Sequence, residues 1–108
     1  MRRTFLAAGA LVAGGLLFAG CQTVPGRTVA SPTLQRDVTQ MIMAIDGGQD
    51  AGCRQRKIVN TEVVSVNPGA RSGVERWTLD RCGTLVNYRV MFTASPRGGT
   101  DFGVQLEK

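Results

Sequence analysis

Three cysteines, Cys21, Cys53 and Cys82, are the side chains best suited to covalent chemistry, and none of the 108 residues is a histidine that could activate them. Without imidazole there is no Ser-His or Cys-His nucleophile pair, no His-ligated zinc and no imidazole acid–base catalysis. Cys53 and Cys82 alone fall short of the ligand count zinc takes, so neither a metal nor another cofactor is expected. Gly98-Gly99 could open a phosphate loop, but no Lys-Ser/Thr and no helix follow, which makes a hairpin turn the better reading. Asp37, Asp46 and Asp50 precede or flank a helix end, where exposure and turn formation account for two of them, and no acid pair can be placed across a cleft. Trp77 and Tyr88 alternate with apolar residues and read as packing. The side chains therefore point away from catalysis.

The chain opens with Met1-Arg2-Arg3 and then carries no charge over residues 4–20, a run rich in Leu, Ala, Gly and Phe. A basic start before an apolar stretch is the pattern of a secretory signal. Seventeen uncharged residues, four of them glycine, are a poor match to a transmembrane helix of ~20. The run ends in Leu17-Phe18-Ala19-Gly20-Cys21, which resembles the bacterial lipobox, with Phe18 in place of the commoner aliphatic residue. The resemblance implies removal of residues 1–20 as a signal peptide and acylation of Cys21 on its sulfur and its new amino group. Several acyl chains anchor stably where one would not. Gln22 follows the cysteine where Asp would signal inner-membrane retention, so outer-membrane localisation is implied. Losing Arg2 and Arg3 leaves eleven basic and eight acidic groups, too few and too scattered for a nucleic-acid partner. With Cys21 lipidated, Cys53 and Cys82 remain as a pair. In an oxidising periplasm they read as a disulfide closing a loop of about 30 residues, which stabilises by roughly 3.5 kcal/mol.

These groups must be positioned by one small α+β domain over residues 31–108. Residues 21–30 contain Pro25 and Gly26 without periodicity, and read as a tether reaching ~30 Å at most. Ser31-Pro32 is a helix start. Leu34, Val38, Met41, Ile42 and Ile45 form one apolar stripe, with Gln35, Arg36, Thr39 and Gln40 on the other side. Asp46-Gly47-Gly48 should stop the helix through a left-handed glycine cap. From Lys57 onward the period is two. Strands are expected over 58–66, 74–81, 84–93 and 101–106, with turns at Asn67-Pro68-Gly69, Cys82-Gly83 and 95–99. The expected fold is one amphipathic helix packed on a four-stranded antiparallel meander, stapled by one disulfide.

Pairing Trp77 with Tyr88 puts Leu79 opposite Val86, and pairing Phe92 with Phe102 puts Val90 opposite Val104 and Tyr88 opposite Leu106. All of them then stay on one face. In the first hairpin Val59/Val63 and Ile58/Val64/Val66 compete for that face, which a bulge would resolve. The same register sets Arg76 opposite Arg89 on the outer face, with Gln105 beside them. Like charges directly across a sheet are unfavourable. Either Glu62 reaches Arg76 and solvent screens the rest, or Arg76, Arg89 and Gln105 form an anion-binding patch whose guanidinium forks suit carboxylates and phosphates.

Residues 75–83, 88–92 and 98–102, with Trp77-Thr78, Cys82-Gly83 and Gly98-Gly99-Thr100, resemble a C-terminal β module of small exported proteobacterial lipoproteins. The resemblance implies an envelope protein and transfers no catalytic residue. The expected function is a membrane-anchored, non-catalytic binding or structural domain whose partner is another envelope protein or peptidoglycan. The alternative is an inhibitor of a periplasmic or host enzyme such as lysozyme, acting through the 67–73 or 94–100 turns.

Overall fold

Ser31 lies in extended backbone and its hydroxyl accepts the Leu34 amide at 3.2 Å, while Pro32 occupies the first turn, so helix α1 (Pro32–Gln49) starts where a capping residue and a proline invite it. The computed structural model describes residues 22–108. The expected signal peptide and Cys21 lie outside them.

Helix α1 does not stop at Asp46-Gly47-Gly48. It continues to Gln49, and neither glycine takes a positive φ. Arg56, from the strand that follows, does the capping instead: its guanidinium donates to the carbonyls of Asp46, Asp50 and Cys53. A cation on the last carbonyls also suits the helix dipole. The buried line of α1 is Gln35, Val38, Ile42 and Asp46, whereas Met41 is 45% exposed. The expected stripe is thus corrected at Met41, which is exposed, and by the burial of Gln35 and Asp46 beside its two ends. Val38 and Ile42 stand as read, with Leu34 and Ile45 partly buried against the core.

The strands are β1 (Arg56–Asn67), β2 (Ser72–Arg81), β3 (Thr84–Ala94) and β4 (Thr100–Leu106), paired antiparallel in the order β1-β2-β3-β4. Trp77 faces Tyr88, Leu79 faces Val86, Val90 faces Val104 and Phe92 faces Phe102, as the alternation requires. The β1–β2 ladder is interrupted twice, between Ile58 and Asn60 and between Val63 and Ser65, which settles the competition between the two valine sets. Cys82 and Gly83, at φ 48° and 92°, form a two-residue hairpin loop whose twist matches the strands it joins. Cys53 is disulfide-bonded to Cys82 across a Cα separation of 6.0 Å, so the staple ties the segment after α1 to the β2–β3 turn.

One face of the sheet is covered. Trp77, Leu79, Tyr88, Val90 and Phe92 meet Val38 and Ile42 of the helix, and Val24 and Ala30 complete the same cluster. Those last two lie in the segment expected to be a free tether. That expectation is corrected: residues 22–30 pack onto the domain. Among the described residues no helix is long and apolar enough to cross a membrane.

Candidate functional site

The strap formed by residues 22–30 is held by three buried polar side chains, one from each of three elements. From α1, Gln35 accepts the Thr23 amide at 2.7 Å and its hydroxyl at 3.0 Å, and donates to the Ala30 carbonyl at 2.7 Å. From β1, Thr61 donates its hydroxyl to the Pro25 carbonyl at 2.7 Å, and its own carbonyl accepts the Arg27 amide at 3.0 Å. From β2, the Glu75 carboxyl accepts the Thr28 hydroxyl at 2.7 Å, the Val29 amide at 2.8 Å and the Trp77 indole at 2.8 Å. Gln35, Thr61 and Glu75 are all at most 3% exposed. Polar groups this deep must be paired, and the strap supplies most of the partners. Gly26 permits the approach: its φ is +92°, and a Cβ there would stand 2.3 Å from the Thr61 carbonyl oxygen. A residue with a side chain would lift the strap off β1.

At the opposite end of α1, Asp46 is fully buried and its carboxylate receives three side chains. Tyr88 donates its hydroxyl at 2.6 Å, Arg56 its Nε at 2.7 Å, and Arg81 grips both oxygens at 2.6 and 3.0 Å. The Arg81 bonds outweigh burial and, with Tyr88 and Arg56, hold the Asp46 carboxyl well below the usual carboxylate range. Burial, then the hydrogen bond to Asp46, push the Tyr88 hydroxyl up to about 12. Each group is thereby kept in one protonation state across physiological pH, which suits a structural tie better than proton transfer. The Trp77 and Tyr88 rings are core packing, as read, each with its polar tip satisfied by a buried acid.

The residues read as an anion patch do share the outer face: Arg76 pairs with Arg89, and Arg89 with Gln105. Arg76, however, is already bound. Its Nε meets Glu107 at 2.7 Å, and Nη1 meets Glu62 at 3.3 Å. The Glu62 contact was one of the two outcomes open to the sequence, whereas Glu107 lies just beyond the last strand, where its amide donates to the Asn87 carbonyl at 2.9 Å and continues the ladder. Both carboxylates go to Arg76, whereas Arg89 forms no salt bridge among the described residues. Hydrogen bonding to Arg76 holds the Glu107 carboxyl below its ordinary value.

Beside the strap a groove of about 450 Å³ runs between α1 and the edge strand β1. Val24, Pro25, Met43 and Ile58 form its apolar floor, and Arg36 and Lys57 its rim. Sequence reasoning missed the strap, Gln35, Glu75 and the role of Asp46. Two signals were available: Asp46 continues the 35-38-42 helical spacing, and Glu75 falls on the inward alternation of Trp77 and Leu79.

These features define a disulfide-stapled α+β domain whose amino-terminal strap is built into its core. No protein-family model, no curated protein and no solved structure matches the chain.

Proposed function

We propose that this chain is a bacterial envelope lipoprotein, anchored in the outer membrane through Cys21, whose domain acts by non-catalytic binding or structural support. The observation that carries the reading is the clasp on residues 22–30. Gln35, Thr61 and Glu75 hold the stretch immediately after the lipobox-like cysteine, so an anchored domain would be kept at the membrane surface. The internal pairing of Asp46 and Glu75 supports a role without catalysis. A partner in the envelope, a protein or peptidoglycan, fits such a domain.

A second reading, inhibition of a lytic enzyme, is favoured by one contact. The Ala94 amide donates to the Arg71 carbonyl at 3.1 Å, joining the 67–73 and 94–100 turns into one composite surface.

Cys21→Ser expressed in cells fed a fatty-acid analogue should remain an unprocessed precursor without label. Label on the variant would end the lipoprotein reading. Crosslinking of the lipidated protein in cells separates the two roles: envelope proteins or peptidoglycan recovered with it support the first, and a lytic enzyme the second.

A further inference from the structure

The two edges of the sheet differ. Along β1 the strap lies against the edge, with the Arg27 amide donating to the Thr61 carbonyl at 3.0 Å, and the strand is irregular at two places. Covering and kinking an edge both stop it from recruiting another strand. Along β4 neither device is present. Its register with β3 runs unbroken from Thr100 to Leu106, and that stretch holds no lysine and no proline.

The ladder shows which backbone groups β4 leaves over. The Glu107 amide donates to the Asn87 carbonyl at 2.9 Å, and the Ser95 amide to the Gly99 carbonyl at 3.1 Å. Hydrogen-bonded pairs alternate along an antiparallel ladder, so Asp101, Gly103 and Gln105 turn their backbone groups to β3. Thr100, Phe102, Val104 and Leu106 turn theirs outward, and no other backbone group among the described residues reaches them. The side chains of Phe102, Val104 and Leu106 are only partly buried against the core. Met41 of α1 is 45% exposed one turn beyond Asp37, which borders β4 at Thr100. This edge is open in backbone and apolar in side chain.

We propose that β4 pairs antiparallel with β4 of a second copy of this chain, making one eight-stranded sheet with both helices on the same face. The register selects that occupant. Only a two-fold axis at Gly103 matches all four outward residues with one another, Thr100 opposite Leu106 and Phe102 opposite Val104, each pair formed twice. It sets an aromatic beside a β-branched side chain on the covered face. On the open face it sets Asp101 opposite Gln105 of the second copy, whose own neighbour on β3 is Arg89. Neither Asp101 nor Arg89 forms a salt bridge among the described residues. Across the axis each gains an opposite charge two strand spacings, about 10 Å, away, a gap their side chains span. Gly103 meets itself at the axis. Nothing inside one copy requires glycine there: its φ is not positive, and an added Cβ would only touch Met91 at 3.8 Å. These matches are those of the chain with itself, and the pairing does not depend on the anchorage proposed above.

Gly103→Cys tests the axis. At a pair without mutual hydrogen bonds the two Cα atoms lie about 4.5 Å apart, within the range a disulfide spans. The full chain expressed in cells and run on a non-reducing gel should give a reducible dimer well above that of the unaltered chain. Mass spectrometry should show the Cys53–Cys82 bridge intact in it. Asp101→Cys lies four residues, about 13 Å, from its own copy in this register and should stay at the background. Equal dimer from both variants reports collision and overturns the register. Absence of dimer from a Gly103→Cys chain with its native bridge overturns the pairing. A cross-link to a different protein assigns the edge to a foreign strand and overturns the second copy. Amide exchange needs no substitution: in concentrated unaltered protein Thr100, Phe102, Val104 and Leu106 should be as protected as Gly103 and Gln105, which face β3. Four amides exchanging at the rate of an unpaired chain overturn the proposal.

Discussion

The two faces of the sheet each carry an arginine–carboxylate group, and the two behave differently. On the covered face Asp46 is fully buried between Arg56, Arg81 and Tyr88, with two salt bridges of 2.7 and 2.6 Å. On the open face Arg76 meets Glu107 at 2.7 Å and Glu62 at 3.3 Å, with the Glu62 side chain 53% exposed. The bond lengths are similar, so geometry does not separate the two groups. Solvent does. Water screens the outer pairs and competes for their donors, which reduces their net worth. Inside, loss of one member leaves a charge with neither water nor partner, and that is expensive whatever the pair contributed when intact. The inner group also ties four separate parts of the chain together: the helix end, the start of β1, the end of β2 and the middle of β3.

The sharpest way to break this comparison is Asp46→Asn. It leaves two guanidinium groups facing a neutral amide and should destabilise by about 3–5 kcal/mol, seen as a lower urea midpoint with little change in slope. A loss as small as that of a surface pair would mean that water reaches the inner cluster.

Titration tests the same cluster without mutation. Because the folded carboxyl of Asp46 sits below its ordinary value of 3.8, the unfolded chain takes up the proton first as pH falls. Its contribution should be complete above the usual carboxylate range and drain away below about pH 4. Tyr88 gives the opposite limb. Its folded value is raised to about 12 from 10.0, so the unfolded chain loses the proton first and stability should decline between those values. Urea midpoints across pH should show both limbs, and Asp46→Asn should flatten the acid one.

Glu75→Gln should have an intermediate effect, about 1–3 kcal/mol, because an amide NH₂ would then face one of the strap or indole donors. Hydrogen exchange should show the Val29 amide losing protection while the Trp77 strand keeps its own. Loss of protection throughout the sheet would show instead that the strap and the core unfold as one unit.

The smallest effect belongs to the open face. Arg76→Ala removes the ion pairs with Glu62 and Glu107 and also relieves the like-charge opposition to Arg89. The thermal midpoint should stay within the reproducibility of a melt. A shift comparable to that of Asp46→Asn would overturn the distinction between the two faces.

Much of the fold was legible because it is written in local periods. The switch from 3.6 to 2, the cap at Ser31-Pro32 and the turn at Cys82-Gly83 placed the elements. Alternation alone then set the β2–β3 and β3–β4 registers, including Arg76 opposite Arg89. The disulfide followed from a cysteine pair and that topology. What period reasoning could not reach was the fate of polar residues lying on apolar faces. Asp46 looked like a turn residue because its partner Arg81 lies 35 positions away, and the strap looked like a tether because Thr28 finds Glu75 across 47.

Sequence alone thus determined which stretches form helix and strand and which side of β2, β3 and β4 turns inward, since those depend on neighbours a few positions apart. Only the tertiary structure decided that residues 22–30 belong to the core, that Arg56 ends the helix in place of glycine, and that Asp46 is a buried hub. Whether a polar group may be buried depends on donors and acceptors delivered from distant segments, and their arrival is a property of the whole fold.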